Sequence, residues 1–401
     1  MTQAQPSDRN STLLLLSLVV FNFFSFVSIG IPLAVLPSFV HDQLGYSATI
    51  AGMVVGLQYL VTLLCRPLAG RLADELGAKK TVMIGMLSCA GAGVLLLASA
   101  WLEASPGASV AVMLVSRVLL GFTQSLIGIS GISWGLNTFG TEHAPRIISW
   151  NGVAAYGGVG VGAPLGALLN GTLGFWSLGA LTTLIALTGF YLASRKGPAP
   201  LNRGKRLPFR QVLWRVLPVG MSLALGTMGY GTLSAFIALY YAARGWDGAA
   251  WCLTAYACTF IGTRLLFPNL INRVGGYPVA LGCLAVECVG LLLLWLAETP
   301  TLALAGSALA GAGLSLLYPA LGVGVIARVG ANNGSAGLSV FAMFFDLALG
   351  LAGAVMGVLA TWAGLRSTFF AALLMGLAGL ALAAWLRKTQ RAADEAVGRS
   401  G

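Results

Sequence analysis

Twelve long apolar runs divide the chain, and each is about as long as a helix that crosses a bilayer. A hydrocarbon core of about 30 Å needs about 20 helical residues. A spanning β-barrel would instead show segments of about 10 residues with alternating polarity, and that alternation is missing from the sequence. Because backbone groups in lipid must satisfy each other, we predict an all-α membrane protein. The predicted spans are 13–39, 48–69, 81–101, 109–136, 147–170, 176–194, 212–240, 250–270, 278–297, 300–327, 336–361 and 366–387.

The composition agrees with this pattern. The 401 residues are 57% hydrophobic and only 9% charged, whereas soluble domains carry about 25% charged residues. The six cysteines all fall within predicted spans and lack the spacing of metal ligands or of a disulfide framework. We therefore expect neither a metal site nor a disulfide scaffold.

The basic residues indicate orientation rather than nucleic-acid binding. With both termini placed in the cytoplasm, all 23 Lys and Arg except three lie in cytoplasmic segments or near cytoplasmic helix ends. Arg117 lies inside a span, and Arg244 and Arg366 lie on the opposite side. This asymmetry is the positive-inside signature, and it accounts for the net charge of +11 without a polyanionic partner. The lipid bilayer is the expected surrounding.

Two similar halves flank a polar segment at the midpoint. Residues 195–211 are rich in Arg, Lys, Pro and Gly, so we predict a cytoplasmic linker between six-helix bundles at 13–194 and 212–387, with cytoplasmic tails at 1–12 and 388–401. The segment 66–77, RPLAGRLADELG, aligns 198 residues later with 264–275, RLLFPNLINRVG. Likewise, 174–177 aligns with 364–367 at an offset of 190. Two parallel six-span repeats with a small-molecule substrate between them are typical of secondary transporters.

Three motifs resemble those of one transporter family. Residues 70–80, GRLADELGAKK, resemble the loop 2–3 signature of the major facilitator superfamily, and 117–121, RVLLG, resembles its second signature. The resemblance implies two pseudo-repeated six-helix bundles and alternating access, with a charged latch that breaks as the halves rock. A solvated loop that only sets topology is the alternative for this segment. The predicted latch residues are Gly70, Arg71, Asp74, Gly77, Lys79, Lys80 and Arg66.

The third motif lies in the fifth span. Residues 158–167, GVGVGAPLGA, resemble the antiporter signature of drug:proton exporters, with Gly158, Gly162 and Gly166 on one helix face and Pro164 among them. Ala163 and Ala167 depart from that signature. A glycine stripe that only packs helices is the alternative. The resemblance implies the drug/metabolite:proton antiporter branch, near the arabinose-efflux-permease-like group (YfcJ/YhhS type), as a monomer in the bacterial inner membrane. It further implies a proton gradient as energy source and no cofactor.

Few acidic residues are left for proton coupling. Of the twelve Asp and Glu, only Glu287 and Asp346 lie near the middle of a predicted span. A buried carboxyl group is favoured in its neutral form, so it can bind a proton from one side and release it to the other. The resemblance implies that the eleventh span lines the cavity and that the ninth is peripheral, so Asp346 is the first candidate. Arg117 and Glu287 are further coupling candidates. A structural hydrogen bond or helix contact is the alternative for each of them.

Polar and aromatic side chains at mid-membrane depth are candidates for a substrate cavity. These residues are Asn22, Gln58, Tyr59, Gln124, Tyr156, Tyr230, Tyr256 and Tyr318. For each residue taken singly, a hydrogen bond to a neighbouring helix is an alternative explanation of a polar side chain at this depth. Together they predict a moderately polar, amphipathic cavity with few fixed charges.

The sequence favours a proton-coupled exporter of a small amphipathic metabolite or drug, but other interpretations stay open. A proton symporter that imports a small sugar or organic acid would have the same fold. A membrane-embedded enzyme would need a catalytic constellation, and His41 and His143 lie in predicted loops on opposite faces. The chain has no P-loop for ATP. A membrane sensor without transport is a further alternative.

Overall fold

The computed structural model describes residues 8–140, 144–197, 209–267, 269–329 and 334–398, and it is almost entirely helical. Parts of the predicted tails and most of the predicted linker lie outside the described residues. A short π-helical turn lies at Phe39–Gln43. The α-helices are α1 (Asp8–Leu33), α2 (Leu36–Ser38), α3 (Ala48–Glu75), α4 (Ala78–Trp101), α5 (Pro106–Phe139), α6 (Ala144–Leu173), α7 (Trp176–Ser194), α8 (Phe209–Ala243), α9 (Ala250–Leu266), α10 (Leu270–Val274), α11 (Gly276–Leu296), α12 (Pro300–Ser315), α13 (Leu317–Val329), α14 (Gly334–Ala363) and α15 (Leu365–Gly398).

Eleven helical segments in the described part of the chain are long and apolar enough to cross a membrane. The all-α prediction is therefore confirmed. One span consists of α12 and α13, which together cover Pro300–Val329. The predicted span at 250–270 corresponds to α9, a helix of only 17 residues.

Glycines with positive φ end helices at equivalent places in the two halves of the sequence. Gly77 (φ 85°) directly precedes α4, and Gly275 (φ 96°) directly precedes α11. Gly174 (φ 90°) and Gly364 (φ 83°) occupy the second pair of aligned positions. Only glycine adopts this left-handed region at little cost. The aligned segments therefore share backbone geometry as well as sequence.

The helices form two compact units. One comprises Met1–Val35 and Val61–Gly204, and the other comprises Leu36–Leu60 and Lys205–Gly401. The segment Leu36–Leu60 thus packs with the second unit, although it precedes the midpoint of the chain. The predicted division into bundles at 13–194 and 212–387 stays a prediction.

In the first unit, α4 packs closely on α5 and α7, and α1 packs on α6. Gly93 and Gly179 let α4 and α7 approach closely, since a Cβ at Gly93 would lie 2.8 Å from the Gly179 carbonyl oxygen. The rings of Phe21 and Trp134 stack with their centroids 5.9 Å apart and join the buried core of this unit. Close backbone approach through small residues is the usual way that membrane helices associate.

In the second unit, α8 lies against α14 and α15, while α11 packs on α12. The α11–α12 contact depends on Gly290 and Gly306, because a Cβ at Gly306 would lie 2.8 Å from the Gly290 carbonyl oxygen. Both helices therefore meet backbone to backbone.

The carboxyl end of α11 is capped by side chains from two other helices. The Tyr240 hydroxyl lies 3.1 Å from the Ala297 carbonyl oxygen, and the Arg244 guanidinium donates to the same oxygen at 3.0 Å. Arg366 donates to the Trp295 carbonyl oxygen at 2.7 Å. Cations are favoured at helix carboxyl ends. The two arginines that break the charge asymmetry of the sequence therefore have a local structural role.

Candidate transport site

Asp346 lies near the middle of α14, and its side chain is only 1% exposed. The adjacent turn of α14 is packed tightly, since Phe341 is fully buried and the Phe344 ring lies against Gly220 of α8. The structure thus places the first coupling candidate inside the second unit, on a helix held against α8.

The helical period relates Asp346 to a row of glycines. Gly350, Gly353 and Gly357 follow it by four, seven and eleven positions, and these spacings put all four residues on one face of α14. We refer to Gly350, Gly353 and Gly357 as the α14 glycine face. Asp346 continues this face by one further turn.

The α14 glycine face packs against the first half of α3. A Cβ added to Gly353 would overlap the carbonyl oxygen of Gly52, so only glycine permits this approach. At the end of the same contact, the Thr49 hydroxyl donates to the Gly357 carbonyl oxygen at 2.9 Å. The buried acid is therefore in register with a close helix–helix contact that substitution at its glycines would disrupt.

Arg117 is a buried cation of the first unit. It lies in α5 and is 4% exposed. Its neighbour Ser116 donates to the Ala92 carbonyl oxygen of α4 at 2.7 Å, which fixes this face of α5 on α4. An arginine in a membrane span costs about 2.5–3.5 kcal/mol on insertion scales, so its burial indicates a specific role.

Three of the predicted cavity residues lie in the first unit. The Asn22 side-chain amide donates to the Asn151 carbonyl oxygen of α6 at 3.0 Å. Gln124 of α5 accepts a hydrogen bond from the Thr62 hydroxyl at 3.2 Å. Tyr156 is half-buried. Asn22 and Gln124 therefore each join two helices, as the interhelical interpretation predicted, and their availability to a substrate stays a prediction.

The other five candidates lie in the second unit. The Tyr230 and Tyr256 rings are in contact, with centroids 4.8 Å apart, and both side chains are buried. Tyr318 is half-buried, and its hydroxyl donates to the Leu338 carbonyl oxygen at 3.3 Å. Gln58 and Tyr59 are each 3% exposed on α3. The structure therefore brings Tyr230 and Tyr256 together as an aromatic pair between α8 and α9.

The predicted loop at 70–80 is mostly helical, which corrects the sequence prediction. Helix α3 continues to Glu75, and the backbone amide of Leu76 still bonds to the Leu72 carbonyl oxygen. Residues 71–76 are good helix formers apart from Asp74, so the helix ends only where Gly77 requires a positive φ. The turn is therefore much shorter than the charged motif.

The predicted latch residues are spread around this turn. Arg71 and Lys80 are exposed, while Arg66, Gly70 and Gly77 are half-buried. Lys79 donates to the Ser194 carbonyl oxygen at the end of α7, at 2.9 Å. This bond fixes one latch lysine within the first unit. The side chain of Asp74 lies outside the described residues, so the latch stays a prediction.

A second lysine is held at the same helix end. Lys196 donates to the Ser17 hydroxyl at 2.8 Å, and partial burial lowers the pKa of its amine. Both lysines therefore hold the carboxyl end of α7 against other helices of the first unit.

The antiporter-like glycines of α6 pack against α1. A Cβ at Gly158 would lie 2.8 Å from the Phe23 carbonyl oxygen, and one at Gly162 would lie 2.6 Å from the Val27 carbonyl oxygen. A Cβ at Gly166 would overlap the Ile31 carbonyl oxygen. Pro164 lies half-buried within the same helix. These contacts give the stripe a packing role, and its part in transport direction stays a prediction.

Sequence reasoning missed two features of this region. Thr62 was not selected, yet it bonds to both Gln124 and the Gly121 carbonyl oxygen. The α14 glycine face was also missed, although its spacing is readable in the sequence. Small residues at helical spacing beside an intramembrane acid are the signal that could have found it.

The comparisons with known proteins agree with this architecture. The family model described as Major Facilitator Superfamily matches residues 18–250 and 247–400. The chain belongs to the Major Facilitator Superfamily. An uncharacterised MFS-type transporter of Pseudomonas aeruginosa (strain LESB58) is 51% identical over 389 residues, which cover 97% of each chain. One of Burkholderia mallei (strain SAVP1) is 46% identical over 388 residues, covering 96% of this chain and 95% of the relative.

Two solved transporter structures share the fold of this chain. The nucleoside transporter NupG, solved as a point mutant, has a TM-score of 0.73 at 17% identity and covers 94% of this chain and 99% of its own. The human organic anion transporter MFSD10 has a TM-score of 0.71 at 16% identity, with coverage of 94% and 100%. The family match, the relatives and the apolar helices of the described residues identify a multi-pass membrane protein of a transporter family.

Proposed function

We propose that this protein is a proton-coupled secondary transporter that exports a small amphipathic metabolite or drug by alternating access. The observation that carries the proposal is Asp346, a buried acid in the middle of a membrane helix, in register with the α14 glycine face. Intramembrane acids are costly, and in transporters they mark ion or substrate pathways.

The proposed coupling follows from the surroundings of Asp346. In the proposed cycle the Asp346 carboxyl group carries a proton while α3 and α14 are in contact. When α3 and α14 separate, water reaches the group and lets it release its proton. The membrane potential supplies about 2.3 kcal/mol per elementary charge per 100 mV, which is sufficient to drive uphill export. Arg117 is the second coupling candidate, in the first unit.

Support for export comes from α6, whose residues 158–167 resemble the antiporter signature. The substrate class follows from the cavity candidates, which are polar amides and tyrosines with few fixed charges. The two solved relatives are named for nucleosides and for organic anions. At 16% and 17% identity these two structures support the fold only. The proposed substrate class therefore rests on the cavity candidates of this chain. We place the protein in the bacterial inner membrane, as a monomer with both termini in the cytoplasm.

The experiment that tests this proposal starts with ligand discovery. Purified protein in detergent is melted in the presence of a panel of metabolites, siderophores and drugs, because a ligand that binds only the folded state raises the melting temperature. Each hit is then offered to proteoliposomes that contain a pH-sensitive dye and carry an imposed pH gradient. We expect at least one hit to move against its gradient while protons move in the opposite direction.

Other outcomes distinguish the alternatives. Movement of protons and ligand in the same direction would replace export by symport of a small sugar or organic acid. Binding without flux under any gradient would favour a sensor. Ligand flux that depends on neither the pH gradient nor the membrane potential would contradict proton coupling but would still show transport.

A further inference from the structure

Glu287 of α11 is the second intramembrane acid, and it lies in surroundings unlike those of Asp346. Its side chain is fully buried. Neither carboxyl oxygen has a hydrogen-bond partner within the described part of the chain. Most buried polar groups in proteins are hydrogen-bonded, so an unpartnered carboxyl group needs a physical explanation.

Glycines of α8 form the wall that the carboxyl group faces. A Cβ at Gly229 would lie 2.6 Å from Oε1, and one at Gly226 would lie 3.4 Å from Oε2. The same Cβ positions contact Leu284, Leu291 and Leu317. The carboxyl group therefore lies in an apolar slot that exists because α8 presents no side chains there.

The backbone around Glu287 is enclosed from a second direction. A Cβ at Gly313 of α12 would lie 2.5 Å from the Glu287 nitrogen and 2.8 Å from the Cys283 carbonyl oxygen. On the remaining side, Gly376 of α15 faces the Cys288 sulfur. Three helices thus close around this turn of α11, and we call the enclosure the Glu287 slot.

The charged form of Glu287 does not suit this slot. An ionised carboxylate without a partner loses its hydration and gains no compensating interaction. The titratable groups beside it are Cys283 and Cys288 of its own helix. The glycines of α8 and α12 that line this turn are flanked by the apolar side chains of Leu284, Leu291 and Leu317, the last of them from α13. The slot therefore stabilises the neutral acid.

The sequence repeat shows that the fold does not require an acid here. At the offset of 198 residues, Glu287 aligns with Cys89 of α4. Cys89 is also fully buried, and Ser28 of α1, whose hydroxyl donates to the Phe24 carbonyl oxygen, lies beside it. At this offset Ser28 aligns with Gly226, so the second unit has neither the cysteine nor the serine.

We propose that Glu287 is a proton-binding site, separate from Asp346, which holds its proton for as long as the Glu287 slot is closed. Release of the proton requires water at the carboxyl group. Water can reach that group only when Gly226 and Gly229 of α8 move away from α11. The proton is therefore bound only while α8 and α11 are in contact, and it stabilises that contact. This holds for export and for import alike.

Infrared spectroscopy of the full-length protein in lipid tests this proposal directly. A protonated carboxyl group gives a carbonyl stretch that a carboxylate lacks, and carboxyl-¹³C labelling of glutamate shifts the band without any substitution. We expect a glutamate-derived protonated band at pH 7 in the wild-type protein and in Asp346→Asn. The same band should be missing from Glu287→Gln. Solvent-exposed glutamates are ionised at pH 7 and do not contribute.

Closure of the slot is tested by a pair of glycine substitutions. Gly229→Ala places a methyl group at the Glu287 carboxyl group, whereas Gly282→Ala on α11 has no atom within 4 Å of the new Cβ. We expect Gly229→Ala to lose the protonated band at a lower pH than wild type, and Gly282→Ala to titrate like wild type. Loss of the band at the same pH in all three proteins would overturn the role of closure.

Two results would overturn the proton site itself. One is the absence of any ¹³C-glutamate-sensitive protonated band at pH 7 in the wild-type protein. The other is a band that persists unchanged in a folded Glu287→Gln protein. The folded state of Glu287→Gln is checked by its melting temperature, which should equal or exceed that of wild type at pH 7, because glutamine has the shape of the neutral acid.

Discussion

Gly166→Ala separates the packing role of the α6 glycine stripe from a role in coupling. The new methyl group would overlap the carbonyl oxygen of Ile31 in α1. This oxygen belongs to backbone, so it cannot rotate away as a flexible side chain would. Helix α1 must shift relative to α6, and the shift disturbs the buried contacts between these helices that include Leu15, Val19 and Ile147.

The expected magnitude comes from comparison with Gly171→Ala on the same helix. Gly171 is exposed, and a Cβ there has no atom within 4 Å. Both substitutions gain up to about 1 kcal/mol of helix propensity. Overpacking a tight contact costs about 1–3 kcal/mol, and only Gly166→Ala incurs this cost. The two variants should therefore differ by about 1–3 kcal/mol in the free energy of unfolding.

The assay is unfolding of both purified variants in the same detergent, by heat and by denaturant. We expect Gly171→Ala to unfold at or slightly above the wild-type midpoint and Gly166→Ala below it. Equal unfolding midpoints for the two variants would refute the packing argument. The proton-to-ligand ratio of reconstituted Gly166→Ala tests the antiporter role from which the export proposal draws support. A changed ratio per folded molecule would support that role, and an unchanged ratio would leave the stripe with packing alone.

Three further predictions concern other parts of the chain. Tyr240→Phe should cost about 1–2 kcal/mol because it removes a hydroxyl from the capped end of α11, whereas Tyr191→Phe at an exposed site should unfold like wild type. Arg264→Lys should lower stability by about 1 kcal/mol, since lysine cannot make the two bonds that the guanidinium donates to the Ser315 carbonyl oxygen; a melting curve equal to wild type would contradict this. A fluorescent protein fused to the C-terminus should fluoresce and an alkaline phosphatase fusion should be inactive, and active phosphatase would overturn the proposed orientation.

Local signals in the sequence predicted the helical architecture well. Span length and the alignment of 66–77 with 264–275 depend on composition and turn chemistry, which are readable along the chain. The paired glycines Gly77 and Gly275 adopt the same positive φ for this reason. The charges of the motif are typical of a loop and so predict too early an end for α3, whereas residues with good helix propensity extend the helix to Glu75.

The candidate site was less predictable because it depends on which helix faces which. The sequence identified Asp346 and Glu287 by their depth in the membrane, and the family resemblance ranked Asp346 first, but neither showed which side chains surround the two acids. The structure places Asp346 in line with the α14 glycine face and encloses Glu287 in its own slot. Glu287 is packed by glycines from helices that lie far from it in sequence, and no local pattern specifies such contacts.

The most direct test of the proposed coupling compares Asp346→Asn with wild type in proteoliposomes loaded with a ligand from the thermal-shift screen. Asparagine keeps the size of the side chain but cannot bind and release a proton at this position. We predict that a pH gradient drives ligand flux through the wild-type protein and not through Asp346→Asn, while ligand exchange at equal pH continues in both. Undiminished gradient-driven flux through Asp346→Asn would contradict the assignment of Asp346 as the coupling acid.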